Sequence, residues 1–220
     1  MDYKAEAERC YSVITDLLGE EKDWGPVFKS SKDHVVHRKE SEHFSGYVYK
    51  CAYTVEISLD DLLDLTLPRC MGGHIEDVDS MVKEIQCLEQ VSEVPQISII
   101  RGVSNPVVMG LISSREFIDI CYVKRFEENN NKVAVITSGV EYDVPLTPKL
   151  VRAKRYPSGF IVNVVEQGDK QVLEIKQIEQ RDFSGSVPSS VVEKFITSEL
   201  CNQATTYKKS LKKLEKIRNK

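Results

Sequence analysis

The sequence predicts an α+β fold, a curved antiparallel sheet closed by a long C-terminal helix. Three observations carry this. Phe44 to Ile57 alternates, with Tyr47, Tyr49, Cys51, Tyr53, Val55 and Ile57 on one face and Lys50, Thr54 and Glu56 on the other. From Met81 the chain reads as successive strands divided by turn residues. From about Pro188, Val192, Ile196, Leu200, Tyr207, Leu211 and Leu214 recur at helical spacing, with Val191 and Phe195 alongside.

The elements follow in order. Tyr3, Ala7, Cys10, Tyr11, Ile14, Leu17 and Leu18 share one helical face, and Gly19 marks the stop. Ser58-Leu59-Asp60-Asp61 resembles a capping box that opens a short helix through Leu65, which Pro68 and Gly72-Gly73 break. Strands are predicted at roughly 81–91, 95–104, 117–127, 132–143, 151–166 and 171–183. Asn129-Asn130-Asn131 and Gln167-Gly168-Asp169 are turn clusters between them. Pro188 suits a first helical turn, and Ser190 with Glu193 again has capping-box spacing. No repeat, low-complexity block or linker divides the chain, so 1–220 is read as one domain. One helix rarely fills the inner face of so large a sheet, so a cavity is expected, and such cavities are typical ligand sites.

Composition narrows the function. Of 220 residues, 41% are hydrophobic and 29% charged, as in ordinary globular proteins, and the net charge of −4 offers no global field for nucleic acid. Met1 to Glu6 starts polar and acidic with no apolar segment behind it, so no secretory leader is expected. The apolar runs are too short to span a bilayer. The six cysteines lack C-x-x-C spacing, which points to reduced thiols and a cytoplasmic protein. Tyr207 to Lys220 carries seven basic residues and one acid. That basic end at 207–220 reads either as a solvated helix end or as a contact for anionic membrane, at about 1 kcal/mol per basic residue near lipid.

No motif points to catalysis. His34 and His37 lie three apart in a strand-like segment and so face opposite ways, and there is no H-E-x-x-H, G-x-S-x-G or phosphate loop. No metal and no cofactor is expected. Arg101 stands out, because strand parity places it with Ile97, Ile99 and Val103 on the more apolar face of its strand. A buried guanidinium is costly unless paired, so in a cavity Arg101 would meet water and a ligand hydroxyl or carboxylate. The alternative is a bulge at Gly102 that turns it out to solvent.

Ser113-Ser114-Arg115-Glu116-Phe117-Ile118-Asp119 followed by Lys124-Arg125 resembles the S-P-R-[DE]-F-[IV]-D…K-R segment of the StAR-related lipid transfer (START) family. Phe44-x-Gly46-Tyr47-x-Tyr49, Arg152 through Tyr156-Pro157-Ser158-Gly159, and Gly185-x-Val187-Pro188 resemble further family segments in the same order. The resemblance implies a helix-grip fold with an internal cavity for one lipid. It points to the small soluble branch that carries cholesterol, oxysterols or bile acids. His74-Ile75-Glu76-Asp77-Val78 replaces the usual Trp-Asp, and Arg155-Tyr156-Pro157-Ser158 replaces N-H-P-C. Gly102 and Cys121 stand where the steroidogenic members carry a buried acid–arginine pair.

The expected protein is thus a monomeric carrier, not an enzyme, that binds one sterol-like lipid and touches membranes transiently. A helix-grip enzyme and a ligand-sensing module without transfer are the alternatives. The expected lipid-lining residues are Arg101, Ile99, Val103, Cys121, Thr137, Leu146, Val192, Phe195, Ile196 and Leu200. Arg101 is the expected polar anchor. The pocket is expected to be closed and roughly 300–1,000 Å³. Its expected gate is the proline-flanked loop Val144-Pro145-Leu146-Thr147-Pro148, with Leu146 packed against the last helix.

Overall fold

The computed structural model describes residues 1–19, 24–31, 34–126, 128, 131–168 and 170–219. Among the described residues the α-helices are α1 (Tyr3–Gly19), α2 (Leu59–Thr66), α3 (Ile75–Val78) and α4 (Ser189–Arg218). The early strands are β1 (Lys29–Ser31), β2 (His34–Glu40), β3 (Tyr47–Val55), β4 (Val82–Ser92), β5 (Gln96–Ser104), β6 (Arg115–Arg125) and β7 (Lys132–Gly139). There follow β8 (Val151–Arg152), β9 (Lys154–Arg155), β10 (Ser158–Gln167), β11 (Lys170–Glu179) and β12 (Arg181–Asp182). The main sheet runs β1-β2-β3-β11-β10-β7-β6-β5-β4, with β8 added in parallel to β6 and every other pair antiparallel.

Most predicted elements form, with two kinds of difference. The strand predicted at 151–166 is broken into β8, β9 and β10, because Ala153 and the Tyr156-Pro157 corner interrupt the ladder. β2 forms over the strand-like segment of His34 and His37, and β1 adds an edge not among the predicted strands. Of the turn residues, Asn129, Asn130 and Asp169 lie outside those described. The first capping box forms, as Ser58 Oγ accepts from the Asp61 N–H at 3.0 Å. The second does not: α4 has no side-chain cap, and Glu193 instead pairs with Arg38 of β2. α1 is capped by Asp2, whose Oδ1 accepts from the Lys4 and Ala5 N–H groups.

The sheet is covered on both faces, and this decides everything that follows. On the outer face, Ala7, Cys10 and Ile14 of α1 pack on Ile97, Ile99, Ile118, Ile120 and Ile136. Tyr122 Oη and Lys124 Nζ both donate to Glu8 and pin α1 there. On the inner face, Ile196, Leu200, Ala204 and Tyr207 of α4 join Tyr49, Cys51, Tyr53, Val135, Phe160, Val162 and the leucines of α2 in a separate core. Alternate residues of one strand therefore enter two different cores.

Candidate functional site

A cavity of about 310 Å³ lies between the inner face and α4, at the lower edge of the range for small-molecule sites. Its apolar wall includes Leu65 of α2, Ile75 of α3, Ile85 of β4, Ile100 of β5, Phe117 of β6 and Phe160 of β10. Gly102 opens onto free space, since a Cβ there would meet nothing within 4 Å.

The wall supplied by α4 is more polar than its apolar periodicity suggests. Phe195, Glu199, Gln203, Tyr207 and Ser210 border the cavity, one helical stripe across from Ile196 and Leu200. The apolar stripe is used up in packing α4 onto strands β1 to β3 and onto α2 and α3.

At one end of the cavity five charged side chains form an alternating chain. Arg155 Nε donates to Asp119 Oδ2 at 3.0 Å, and Arg155 Nη1 lies 3.8 Å from Glu179 Oε1. Arg181 Nε donates to that same Glu179 oxygen at 2.5 Å, and Arg181 Nη2 lies 3.5 Å from Glu199 Oε2. Burial alone would raise the Glu179 carboxyl, but Arg181 and Arg155 on either side outweigh it and hold it below the usual range. Burial wins at both ends: it raises Asp119 despite Arg155, and it pushes Glu199 up to about 7 despite Arg181. Cys121, beside this chain, is pushed up to about 12 by burial, which disarms it as a nucleophile. Among the described residues no group of three or more His, Cys, Asp or Glu is arranged to hold a metal ion.

The predicted lining residues divide three ways. Val103, Cys121, Thr137 and Phe195 border this cavity. Val192 and Ile196 line a second hollow of about 400 Å³ near the start of α4, beside Phe44 and Tyr47, while Leu200 is packed in the inner core. Ile99, Arg101 and Leu146 lie elsewhere and require correction. Ile99 belongs to the outer core under α1. Arg101 shares that parity, so it points away from the cavity. Its Nε donates to Glu116 Oε1 at 2.6 Å, its Nη1 to Glu84 at 2.9 Å and its Nη2 to Thr147 Oγ1 at 2.8 Å. No bulge at Gly102 is involved, for the register shifts lie in β4. Parity grouped Ile97, Ile99 and Arg101 correctly, although Val103 borders the cavity; both faces of β5 are buried, and the more apolar one lies under α1 rather than facing inward.

Leu146 is half exposed, and its loop is held on the outer side. Val144 packs with the α1 core, and Thr147 Oγ1 donates to Glu116 Oε1 at 2.7 Å. The loop Asn105–Ser114 is a better candidate for a movable wall. Val107 borders the cavity, whereas Met109 is fully exposed and Leu111 largely so. Val108 and Met109 both have φ above +50°, a conformation that β-branched and long side chains rarely adopt. The sequence signal was the apolar run Val107–Ile112, which reads equally well as core.

Arg115 of the S-S-R-E-F motif is structural. Its guanidinium, almost fully buried, donates to the carbonyls of Phe183, Ser184 and Ser113, tying the approach to α4 to the start of β6.

Comparison with known proteins adds to this geometry. The START domain family matches residues 6–217. StAR-related lipid transfer protein 4 of Homo sapiens is 29% identical over 211 residues, spanning 96% of this chain and 98% of that one. StAR-related lipid transfer protein 6 of Homo sapiens is 26% identical, spanning 96% and 93%. Among solved structures, human StAR-related lipid transfer protein 5 superposes with a TM-score of 0.80 at 22% identity, covering 98% of this chain and 97% of that one. Human STARD10 superposes at 0.73 with 18% identity, covering 95% and 81%.

Proposed function

We propose, from the premise that this chain belongs to the START domain family, that it binds one sterol-like lipid in the cavity under α4 and carries it between membranes through the cytosol as a monomer. The observation that carries this reading is the cavity itself, an apolar chamber between two packed layers with Gly102 open onto it. Protein interiors are otherwise close-packed, so a space of this size without a role is uncommon. The relatives are named for lipid transfer, and that activity is proposed here for this chain.

Loading needs a door. The Asn105–Ser114 loop presents Met109 and Leu111 outward while Val107 borders the cavity, so one segment faces both ligand and solvent. Apolar side chains held in strained backbone are poised to be buried in a bilayer surface. Lys208, Lys209, Lys212 and Lys216 on α4 add attraction to anionic lipid. Among the described residues no helix is long and apolar enough to cross a membrane, which suits contact that is brief.

The test is transfer of a fluorescent sterol between donor and acceptor liposomes. Wild-type protein is expected to accelerate it. Gly102→Leu, which fills the open space on β5, is expected to abolish both binding and transfer while the fold is kept. A Gly102→Leu protein that binds and transfers sterol like the wild type would refute the cavity as the lipid site.

A further inference from the structure

The ionic chain Asp119–Arg155–Glu179–Arg181–Glu199 leaves one oxygen unpartnered at its Asp119 end and, at the other, a Glu199 oxygen that no hydrogen bond satisfies and only a loose ion pair holds. Asp119 is 4% exposed, and its Oδ1 has no hydrogen-bond partner. Glu199 Oε2 is also buried without one, with Arg181 Nη2 only at 3.5 Å. Buried acceptors left unmatched are rare and costly in folded proteins. Both residues border the cavity.

We propose that Asp119 and Glu199 form the polar subsite of the cavity, and that it selects a neutral lipid carrying hydroxyl donors over an acidic one. This rests on the lipid-carrier reading above and names the class of ligand within it. Two points of chemistry support the selection. The vacant atoms are carboxyl oxygens, which call for a donor from the ligand. Both guanidinium groups are already engaged by carboxylates, so neither is free to clamp an incoming anion. Gln203 and Ser210 on the cavity stripe of α4 extend the same polar wall.

The experiment compares binding of three probes at pH 7.4: cholesterol, its 3-O-methyl ether and cholate. The ether keeps the ring system and the acceptor oxygen but cannot donate. Wild-type protein is expected to prefer cholesterol to the ether by at least about tenfold, the size of one charged hydrogen bond, and to bind cholate more weakly than cholesterol. Asp119→Asn keeps an oxygen for Arg155 but turns an amide N–H toward the cavity, so the preference for cholesterol should shrink several-fold or reverse. Glu199→Gln should shrink it as well, and this near-isosteric change keeps the test alive if Asp119→Asn does not fold. Equal wild-type affinity for alcohol and ether, tighter binding of cholate, or an unchanged preference in folded variants would overturn the subsite while leaving the carrier reading standing. Failure of all three probes to bind would sink both together.

Discussion

Arg101 donates from Nε to Glu116 Oε1 across 2.6 Å, and the pair sits on the outer face of the sheet, with the polypeptide wall between it and the cavity. Arg152 Nε binds the other Glu116 oxygen at 2.9 Å, and Thr147 closes the group. Glu116 is fully buried, so these partners are what make its charge tolerable.

Arg101→Leu is therefore expected to destabilise the protein by about 3 kcal/mol, the low end for breaking a buried pair, because Arg152 remains. Sterol affinity should stay within about twofold of wild type. Urea denaturation and a sterol titration on the same variant measure the two effects separately.

Glu116 also sets an acid limit. Burial opposes its ionisation, but Thr147, Arg101 and Arg152 outweigh burial and hold its carboxyl down to about 2. Its folded pKa lies below its unfolded value, so its contribution is fully present above about pH 4.5 and is lost as pH falls from 4.5 toward 2. Glu116→Gln should lower stability at pH 7 and flatten the stability curve across that window.

Glu199 has the opposite sign. Its folded carboxyl is pushed up to about 7, above the ordinary 4.5, so the folded state binds the proton more tightly than the unfolded one. Its contribution to stability is fully present below about pH 4.5 and is lost as pH rises to 7, a change of about 3 kcal/mol at 1.36 kcal/mol per unit. Arg181 and Arg155 favour the charged form, while Glu179 and Asp79 oppose it. Glu199→Gln should remove this decline and raise stability at pH 8, read by thermal unfolding at a series of pH values. An unchanged slope between pH 5 and 7 would contradict the assignment.

Gly159 of β10 has φ +145°, and a Cβ there would lie 2.2 Å from the Val135 carbonyl oxygen. Backbone cannot yield as a side chain can, so Gly159→Ala should part β10 from β7 and cost about 3 kcal/mol or more. Chemical denaturation of the variant would show it.

Met109→Asp with Leu111→Asp places charge where the exposed loop is proposed to meet a membrane. Each lost apolar side chain forfeits about 1.5–3 kcal/mol of burial in lipid. Liposome transfer should slow by at least about tenfold, with equilibrium sterol affinity unchanged. Transfer at the wild-type rate would place the membrane contact elsewhere.

Periodicity and turn chemistry determined much by themselves. The alternation of Phe44 to Ile57, the α1 face of Ala7, Cys10 and Ile14, and the long helix after Pro188 follow from local pattern, because burial of one face demands a matching repeat. The family motifs likewise stand in the sequence alone. What only the tertiary structure decided is which face is inner. α1 covers one side of the sheet and α4 the other, so both sides of β5 are buried, and parity could group Ile97, Ile99 and Arg101 without orienting them. The same holds for α4, whose apolar stripe marks its packing contacts while the neighbouring stripe of Glu199 and Gln203 faces the cavity. The chain from Asp119 to Glu199 joins residues from β6, β9, β11, β12 and α4, whose separations in sequence carry no signal. Only the folding of those strands beneath one helix brings its charges within reach of one another, since a charge pair depends on distance in space and burial, neither of which a linear spacing encodes.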